Sequence, residues 1–178
     1  VLRRGKWHVT VALRDGHQII AVWPGLKEQV AVVAIDVGST TMSAHLCDMV
    51  TGDVLASTGA MNPQIRFGED LMSRVSYGIM NPGGAGEMNK AVIAGLQNLI
   101  DGAAKQASLV SDDILELVLV GNPVMHHLLL GIDPVELGGA PFALALDEAV
   151  DVRASEVGIA INPGARVYIL PCIAGHVG

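Results

Sequence analysis

The 178-residue chain is long enough for one sizeable hydrophobic core, or for one domain with a short appendage. Hydrophobic residues make up 51% of it and charged residues 16%, which excludes an intrinsically disordered chain. The net charge of −7 argues against nucleic acid or an anionic membrane as a partner. Its apolar runs fall well short of the roughly 18 residues of a membrane-spanning helix. Cys47 and Cys172 match no metal-binding spacing, so we expect reduced thiols and a cytoplasmic protein.

Two strand-like runs open the chain. Residues 6–13 and 18–22 flank a turn that contains Asp15-Gly16. An Asp-Gly pair between such runs predicts a β-hairpin, because both central positions of a type I′ turn need a positive φ. We expect residues 1–29 to be this hairpin and a linker, either as the end of a preceding small domain or as an extra edge on the main one.

Three strands with short connections begin the main domain, for which we expect residues 30–178. Residues 30–36 are small and β-branched apolar residues up to a final aspartate, and this run predicts a strand that is buried on both faces. Residues 41–48 alternate apolar and polar side chains, which is typical of a strand with one buried face. Residues 54–58 follow after a glycine-containing turn. Consecutive strands with short connections predict an antiparallel meander.

Helices alternate with strands in the rest of the chain. Apolar spacing predicts helices over residues 69–79 and 87–107. On the first of them Asp70 and Arg74 are four positions apart, which predicts a surface ion pair, and a functional role in the cleft is the alternative. Residues 133–165 predict loops with one short helix near 153–157. The other predicted elements are a buried strand, a short helix and a last strand, over residues 114–120, 124–130 and 167–170 respectively. The predicted fold is therefore α/β: a mixed sheet of three antiparallel strands and then helix-linked strands, with helices on its faces and a β-hairpin in front.

The turn after the first strand of the main domain carries the chemistry. It is formed by Asp36-Val37-Gly38-Ser39-Thr40-Thr41. A bare glycine backbone and three hydroxyls supply the free N–H groups, small bulk and donors that a phosphate needs. Asp36 is a candidate to hold Mg²⁺ through a bound water, since Mg²⁺ keeps several waters and takes few carboxylates. The turn is not a Walker loop, which needs GxxxxGKS/T between a strand and a helix, and an ordinary Ser/Thr-rich hairpin turn is the alternative.

A second candidate site residue is Asn122. It directly follows the buried strand predicted for residues 114–120, where open α/β sheets place ligand groups, and a helix cap is the alternative. His126 and His127 are adjacent, so on a helix their side chains point about 100° apart. This favours packing over shared ligation of one metal ion.

At these residues the chain resembles a known group of proteins. Residues 36–41, with D-x-G followed by three hydroxyl residues, resemble the first phosphate motif of the actin, sugar-kinase and acetate-kinase superfamily. Residues 62–70 and 121–134 resemble one branch of it, the reductive activators of corrinoid-dependent methyltransferase systems. The resemblance covers roughly residues 9–178 and is most specific in the segment GNxxMxHLxLGxDP.

The resemblance implies a modular protein. In that family a domain with a 2Fe-2S cluster, a linker and a small middle domain precede an ATP-binding domain of two ribonuclease-H-like lobes. ATP use drives electron transfer from the cluster to a Co(II) corrinoid, which regenerates Co(I). We expect this chain to be a fragment that contains the end of the middle region and the first, actin-like lobe. The implied cofactors are ATP and Mg²⁺ here and the 2Fe-2S cluster in a separate N-terminal domain, and the implied partner is the corrinoid protein of a methyltransferase system.

The same resemblance makes residues 173–178 the start of the second phosphate motif. Its nucleotide-binding candidates are Gly175, His176 and Gly178, and a glycine-containing surface turn is the alternative. Three other functions stay open: a sugar- or acetate-kinase-like phosphotransferase, a non-catalytic docking module and, more weakly, the activator of a radical dehydratase. The sequence does not decide between a monomer and a homodimer.

Overall fold

The structure is a computed structural model, and it describes residues 1–175. The strands are β1 (Val9–Arg14), β2 (Gln18–Pro24), β3 (Ala31–Val37), β4 (Thr41–Asp48), β5 (Val54–Met61), β6 (Ile114–Gly121), β7 (Val150–Arg153) and β8 (Arg166–Ile169). The helices are α1 (Leu71–Met80), α2 (Gly84–Gln106) and α3 (Pro123–Leu129). Short 3₁₀ turns cover Pro63–Phe67, Ser111–Asp113, Val135–Gly138 and Ala154–Val157.

A mixed sheet in the order β5-β4-β3-β6-β8-β7 forms the centre of the fold. β3, β4 and β5 are an antiparallel meander, β6 and β8 run parallel to β3, and β7 is antiparallel at the edge. The predicted α/β, ribonuclease-H-like sheet is confirmed. Val37 at the end of β3 pairs with Met42 in β4 and with Gly121 in β6. The turn after β3 and the end of β6 therefore lie side by side at one edge of the sheet.

The described helices cover one face of this sheet. Val33, Ile35 and Val37 are at most 2% exposed, whereas Ala34 and Asp36 between them are exposed. α2 packs on β4 and β5, and α3 packs on β6 and α2. The prediction that the first strand of the main domain is buried on both faces is therefore wrong. Small apolar residues are tolerated on a half-exposed strand, so their run does not tell one covered face from two.

The stretch between α3 and β8 differs most from the prediction. The sequence predicts loops over residues 133–165, but Val150–Arg153 forms the edge strand β7. The short helix expected near residues 153–157 is a 3₁₀ turn over Ala154–Val157.

The β1–β2 hairpin is a separate two-stranded sheet, so it does not add an edge to the main one. Arg14 Nη2 lies 2.6 Å from Asp151 Oδ2 in β7, and Arg166 Nε binds the other oxygen of that carboxylate at 2.8 Å. Lys27 Nζ lies 2.7 Å from Asp113 Oδ1 just before β6. These ion pairs tie the hairpin and its linker to the main domain. Among residues 1–175 the structure contains no helix that is long and apolar enough to cross a membrane.

Candidate functional site

Three consecutive carbonyls in the turn between β3 and β4 accept hydrogen bonds from buried donors. Asn62 donates from its side-chain Nδ2 to Gly38 O at 2.8 Å and from its backbone N–H to Thr40 O at 2.8 Å. Between them, Ser39 O accepts from Nη2 of Arg74. Because the C=O and N–H of a trans peptide point in opposite directions, the N–H groups of these three peptides are directed away from Asn62 and Arg74. Successive N–H groups that face one side of a turn form an anion-binding concavity.

The tightness of this turn explains its glycine. A Cβ at Gly38 would collide with the carbonyl oxygen of Thr41. The sequence pattern indicates that position 38 is a glycine because of ligand binding. The structure adds a second reason, which is that the turn itself has no room for a side chain there. The side chains that follow remain accessible, since Thr40 and Thr41 are exposed and Ser39 is half-buried.

Asp36 lies on the open face of the sheet. It pairs with Ser43 in β4 and with Val120 in β6. Residues lining the groove around it include Ala34, Ser43, His45, Val118 and Val120. Within residues 1–175 no three His, Cys, Asp or Glu side chains come together as metal ligands. One exposed carboxylate with room for waters fits a magnesium ion held through water, as the sequence predicts for Asp36.

The cysteines do not fit an iron–sulfur cluster. A 2Fe-2S cluster takes four cysteine ligands, and the chain has only Cys47 and Cys172, both free thiols. Burial raises the pKa of the Cys172 thiol, and Asp147 adds to that effect.

A buried polar cluster lies beneath the turn. We call it the Arg74 cluster, and it consists of Asn62, Gln64, Arg74 and Met125. Arg74 Nε donates to Gly68 O at 3.0 Å, and Nη1 lies 3.1 Å from Met125 Sδ and 3.4 Å from Gln64 Oε1. Burial lowers the pKa of Arg74, but a guanidinium stays protonated in proteins. The cluster therefore places one positive charge directly behind the turn.

The predicted surface pair between Asp70 and Arg74 is wrong. Asp70 caps α1, where Oδ1 accepts from Ser73 N–H at 2.7 Å, and this bond lowers the pKa of the carboxyl. Arg74 is fully buried because Leu71, Arg74 and Val75 occupy positions i, i+3 and i+4, which form the stripe of a helix that faces the core. The four-residue spacing from Asp70 predicted an exposed Arg74. Its three-residue spacing from the apolar Leu71 indicates a buried one.

Asn122 stands at the same edge of the sheet as the turn, because Val37 and Gly121 pair directly before them. Its Oδ1 accepts from Met125 N–H at 3.0 Å and caps α3. The structure thus gives the side-chain oxygen the capping role that the sequence left as the alternative. Met125 belongs to the Arg74 cluster, so the junction between β6 and α3 is joined to the turn after β3.

The two histidines of α3 are buried in different environments. His127 Nδ1 lies 2.8 Å from Pro123 O, and Nε2 accepts from Ala145 N–H at 3.1 Å, which fixes a neutral ring with its proton on Nδ1. Neither ring nitrogen of His126 has a hydrogen-bond partner among the described residues. Burial lowers the pKa of both rings; the neighbouring His127 lowers that of His126 further, and the Pro123 bond partly opposes the shift at His127.

The predicted second phosphate motif is described only in part. A Cβ at Gly175 would collide with the carbonyl oxygen of Phe142, so this glycine packs against the loop before β7. His176 and Gly178 lie outside the described residues.

Family models, a curated relative and a solved structure all match this chain to activators of corrinoid proteins. The family described as the RACo middle region matches residues 31–178, and the RACo linker region matches residues 1–29. A corrinoid activation enzyme, RamQ from Eubacterium limosum, is 32% identical over 173 residues, which are 96% of this chain and 29% of that protein. The solved structure of a reductive activator for a corrinoid, iron–sulfur protein superposes with a TM-score of 0.88 at 36% identity, over 100% of this chain and 29% of that one. The chain thus spans less than a third of the length of either relative.

Proposed function

Since this chain belongs to the RACo middle-region family, we propose that it forms the first lobe of the nucleotide-binding domain of a corrinoid reductive activator. Residues 1–29 would be the end of the preceding region and residues 30–178 the lobe. The relatives that it matches are more than three times as long, so the proposal concerns a longer protein.

The orientation of the turn after β3 is the observation that carries this proposal. Its carbonyls face Asn62 and Arg74, and its N–H groups face the other way, in a segment that carries three hydroxyl side chains. We infer that these donors bind the phosphates of ATP and that Asp36 holds a water of the accompanying Mg²⁺. Donors that are fixed before the ligand arrives suit phosphoryl transfer, because its catalysis rests on positioning and on stabilisation of charge.

In the longer protein, ATP binding would close the second lobe over this one. Closure favours the conformation that docks the corrinoid protein, because a ligand shifts an equilibrium toward the state that it binds more tightly. The electron that reduces Co(II) to Co(I) would come from a 2Fe-2S cluster in a separate N-terminal domain. The corrinoid protein would belong to a cytoplasmic methyltransferase system.

The test uses the full-length protein and a Co(II) corrinoid protein. Reduction to Co(I) is followed by absorbance with and without Mg-ATP, and phosphate release is measured in the same samples. The proposal predicts that reduction requires ATP and that ATP is hydrolysed. ATP turnover that is stimulated by a sugar or by acetate would indicate a phosphotransferase. Reduction of the corrinoid that needs no ATP and releases no phosphate would indicate that this lobe is a non-catalytic docking module.

A further inference from the structure

We propose that Arg74 is a positioning residue of the nucleotide site, whose buried charge makes the turn after β3 a stronger receptor for phosphate. This inference rests on the proposed function, because it takes a nucleotide phosphate as the ligand of the turn. It concerns a residue that does not touch the ligand, since Arg74 is 0% exposed.

The guanidinium of Arg74 forms no ion pair among residues 1–175, and the carboxylate of Asp70 acts on it only from beyond ion-pair distance. Its described partners are Gly68 O, Ser39 O, the amide oxygen of Gln64 and the sulfur of Met125, all of them neutral. A buried charge without an ionic partner is costly. An anion bound on the far side of the turn would add a favourable negative charge, so the fold has an electrostatic preference for such a ligand.

A single peptide group connects this charge to the accessible side of the turn. The carbonyl of Ser39 accepts from Arg74, and the N–H of the same peptide belongs to Thr40. A charge-assisted bond to the carbonyl polarises the peptide, and hydrogen bonds in series strengthen one another. The Thr40 N–H points away from Arg74 and therefore presents an enhanced donor at an exposed residue.

Two properties of arginine have separate roles here. The planar fork reaches Gly68, Ser39 and Met125 at once, which one ammonium group does not do. The positive charge is the second property, and a lysine side chain carries it as well. Arg74→Lys therefore keeps the positive charge and loses part of the clamp, whereas Arg74→Gln loses the charge.

The experiment measures dissociation constants of Mg-ATP and of adenosine for the full-length protein. The variants are Arg74→Gln and Arg74→Lys, and the matched control is Arg66→Gln, which removes an exposed charge from the neighbouring 3₁₀ turn. Thermal unfolding without nucleotide reports the stability of each variant. Adenosine is the internal reference because it has no phosphate.

Arg74→Gln is expected to weaken Mg-ATP binding by about tenfold, the scale of one hydrogen bond to a charged group, and to leave adenosine binding unchanged. Arg74→Lys is expected to bind both ligands within about threefold of the wild type. Arg66→Gln is expected to bind both ligands as the wild type does. Unchanged ATP affinity in Arg74→Gln, or equal losses for ATP and adenosine, would overturn the inference. If Arg74→Gln does not fold, the affinities of Arg74→Lys decide. A tenfold weaker binding of Mg-ATP by Arg74→Lys, with adenosine binding unchanged, would contradict a role of the positive charge. A wild-type protein that binds neither ligand would instead refute the proposed function.

Discussion

The side-chain amide of Asn62 donates a hydrogen bond of 2.8 Å to the carbonyl oxygen of Gly38, across 24 positions of the chain. The oxygen of the same amide accepts from Gln64 N–H at 2.9 Å and caps the 3₁₀ turn over Pro63–Phe67. One buried side chain thus fixes both the turn after β3 and the segment that leads to α1. The accessible side of the turn is organised by contacts on its buried side.

Replacement of Gly38 by Ala is expected to distort this turn. The new Cβ would collide with the Thr41 carbonyl, and overpacking of this kind costs roughly 1–3 kcal/mol of the free energy of unfolding. We therefore expect a lower melting temperature and weaker Mg-ATP binding, measured by calorimetry. Gly59→Ala is the control, because its Cβ would lie 3.7 Å from Met42 O, an ordinary contact. Wild-type affinity and stability in Gly38→Ala would show that the turn is not as tight as described.

Replacement of His126 by Leu is expected to stabilise the protein. Both ring nitrogens of His126 are buried and unpartnered among the described residues, and an unsatisfied buried polar group costs roughly 1–3 kcal/mol. Chemical denaturation at neutral pH should give a gain in the free energy of unfolding. His127→Leu is the matched control and should be destabilising, because it removes two hydrogen bonds. A destabilised His126→Leu would mean that the ring has a partner elsewhere in the longer protein.

The same ring predicts a dependence of stability on pH. Burial lowers the pKa of His126 in the folded state, so below the ordinary value of 6.5 the unfolded chain takes up a proton that the folded chain does not. The free energy of unfolding therefore falls as the pH decreases from 6.5 toward the folded-state pKa. Denaturation curves across this range should be less steep in pH for His126→Leu than for the wild type. Identical slopes would contradict the lowered pKa.

Replacement of Asp151 by Asn is expected to loosen the β1–β2 hairpin. The carboxylate of Asp151 binds Arg14 and Arg166, and exposed pairs of this kind contribute about 0–1 kcal/mol each. Hydrogen exchange in β1 and β2 should become faster, and the difference should shrink at high salt. Asp15→Asn is the control, since Asp15 is 74% exposed and lies 3.7 Å from Arg14. Unchanged exchange in the hairpin would show that the ion pairs do not hold it.

The central sheet and the long helix α2 could be predicted because their signals are local. The alternation over Thr41–Asp48 gave β4 with its bounds, and the apolar face of α2 recurs over six turns of helix. β7 was missed because two of its four residues, Asp151 and Arg153, are charged, so it lacks the apolar run that predicted the equally short β8. The open face of β3 is a tertiary property, since it depends on where helices pack.

The buried side of the candidate site could not be predicted from its residues. Arg74 and Asn62 act on backbone carbonyls, which carry no signature in a sequence. Asp70 at four positions from Arg74 predicted a surface pair, whereas Arg74 is fully buried. The acceptors of Arg74 come from segments up to 51 positions away, so the cluster becomes visible only in three dimensions.

The most direct test of the proposed function is ATP-dependent reduction of a Co(II) corrinoid protein by the full-length protein that carries Asp36→Asn. Loss of the carboxylate would leave a magnesium-bound water without its acceptor, and it should lower both phosphate release and Co(I) formation about a hundredfold. Asp53→Asn, an exposed acid before β5, should behave as the wild type. Wild-type rates of both phosphate release and corrinoid reduction in Asp36→Asn would contradict the assignment of this lobe as the nucleotide site.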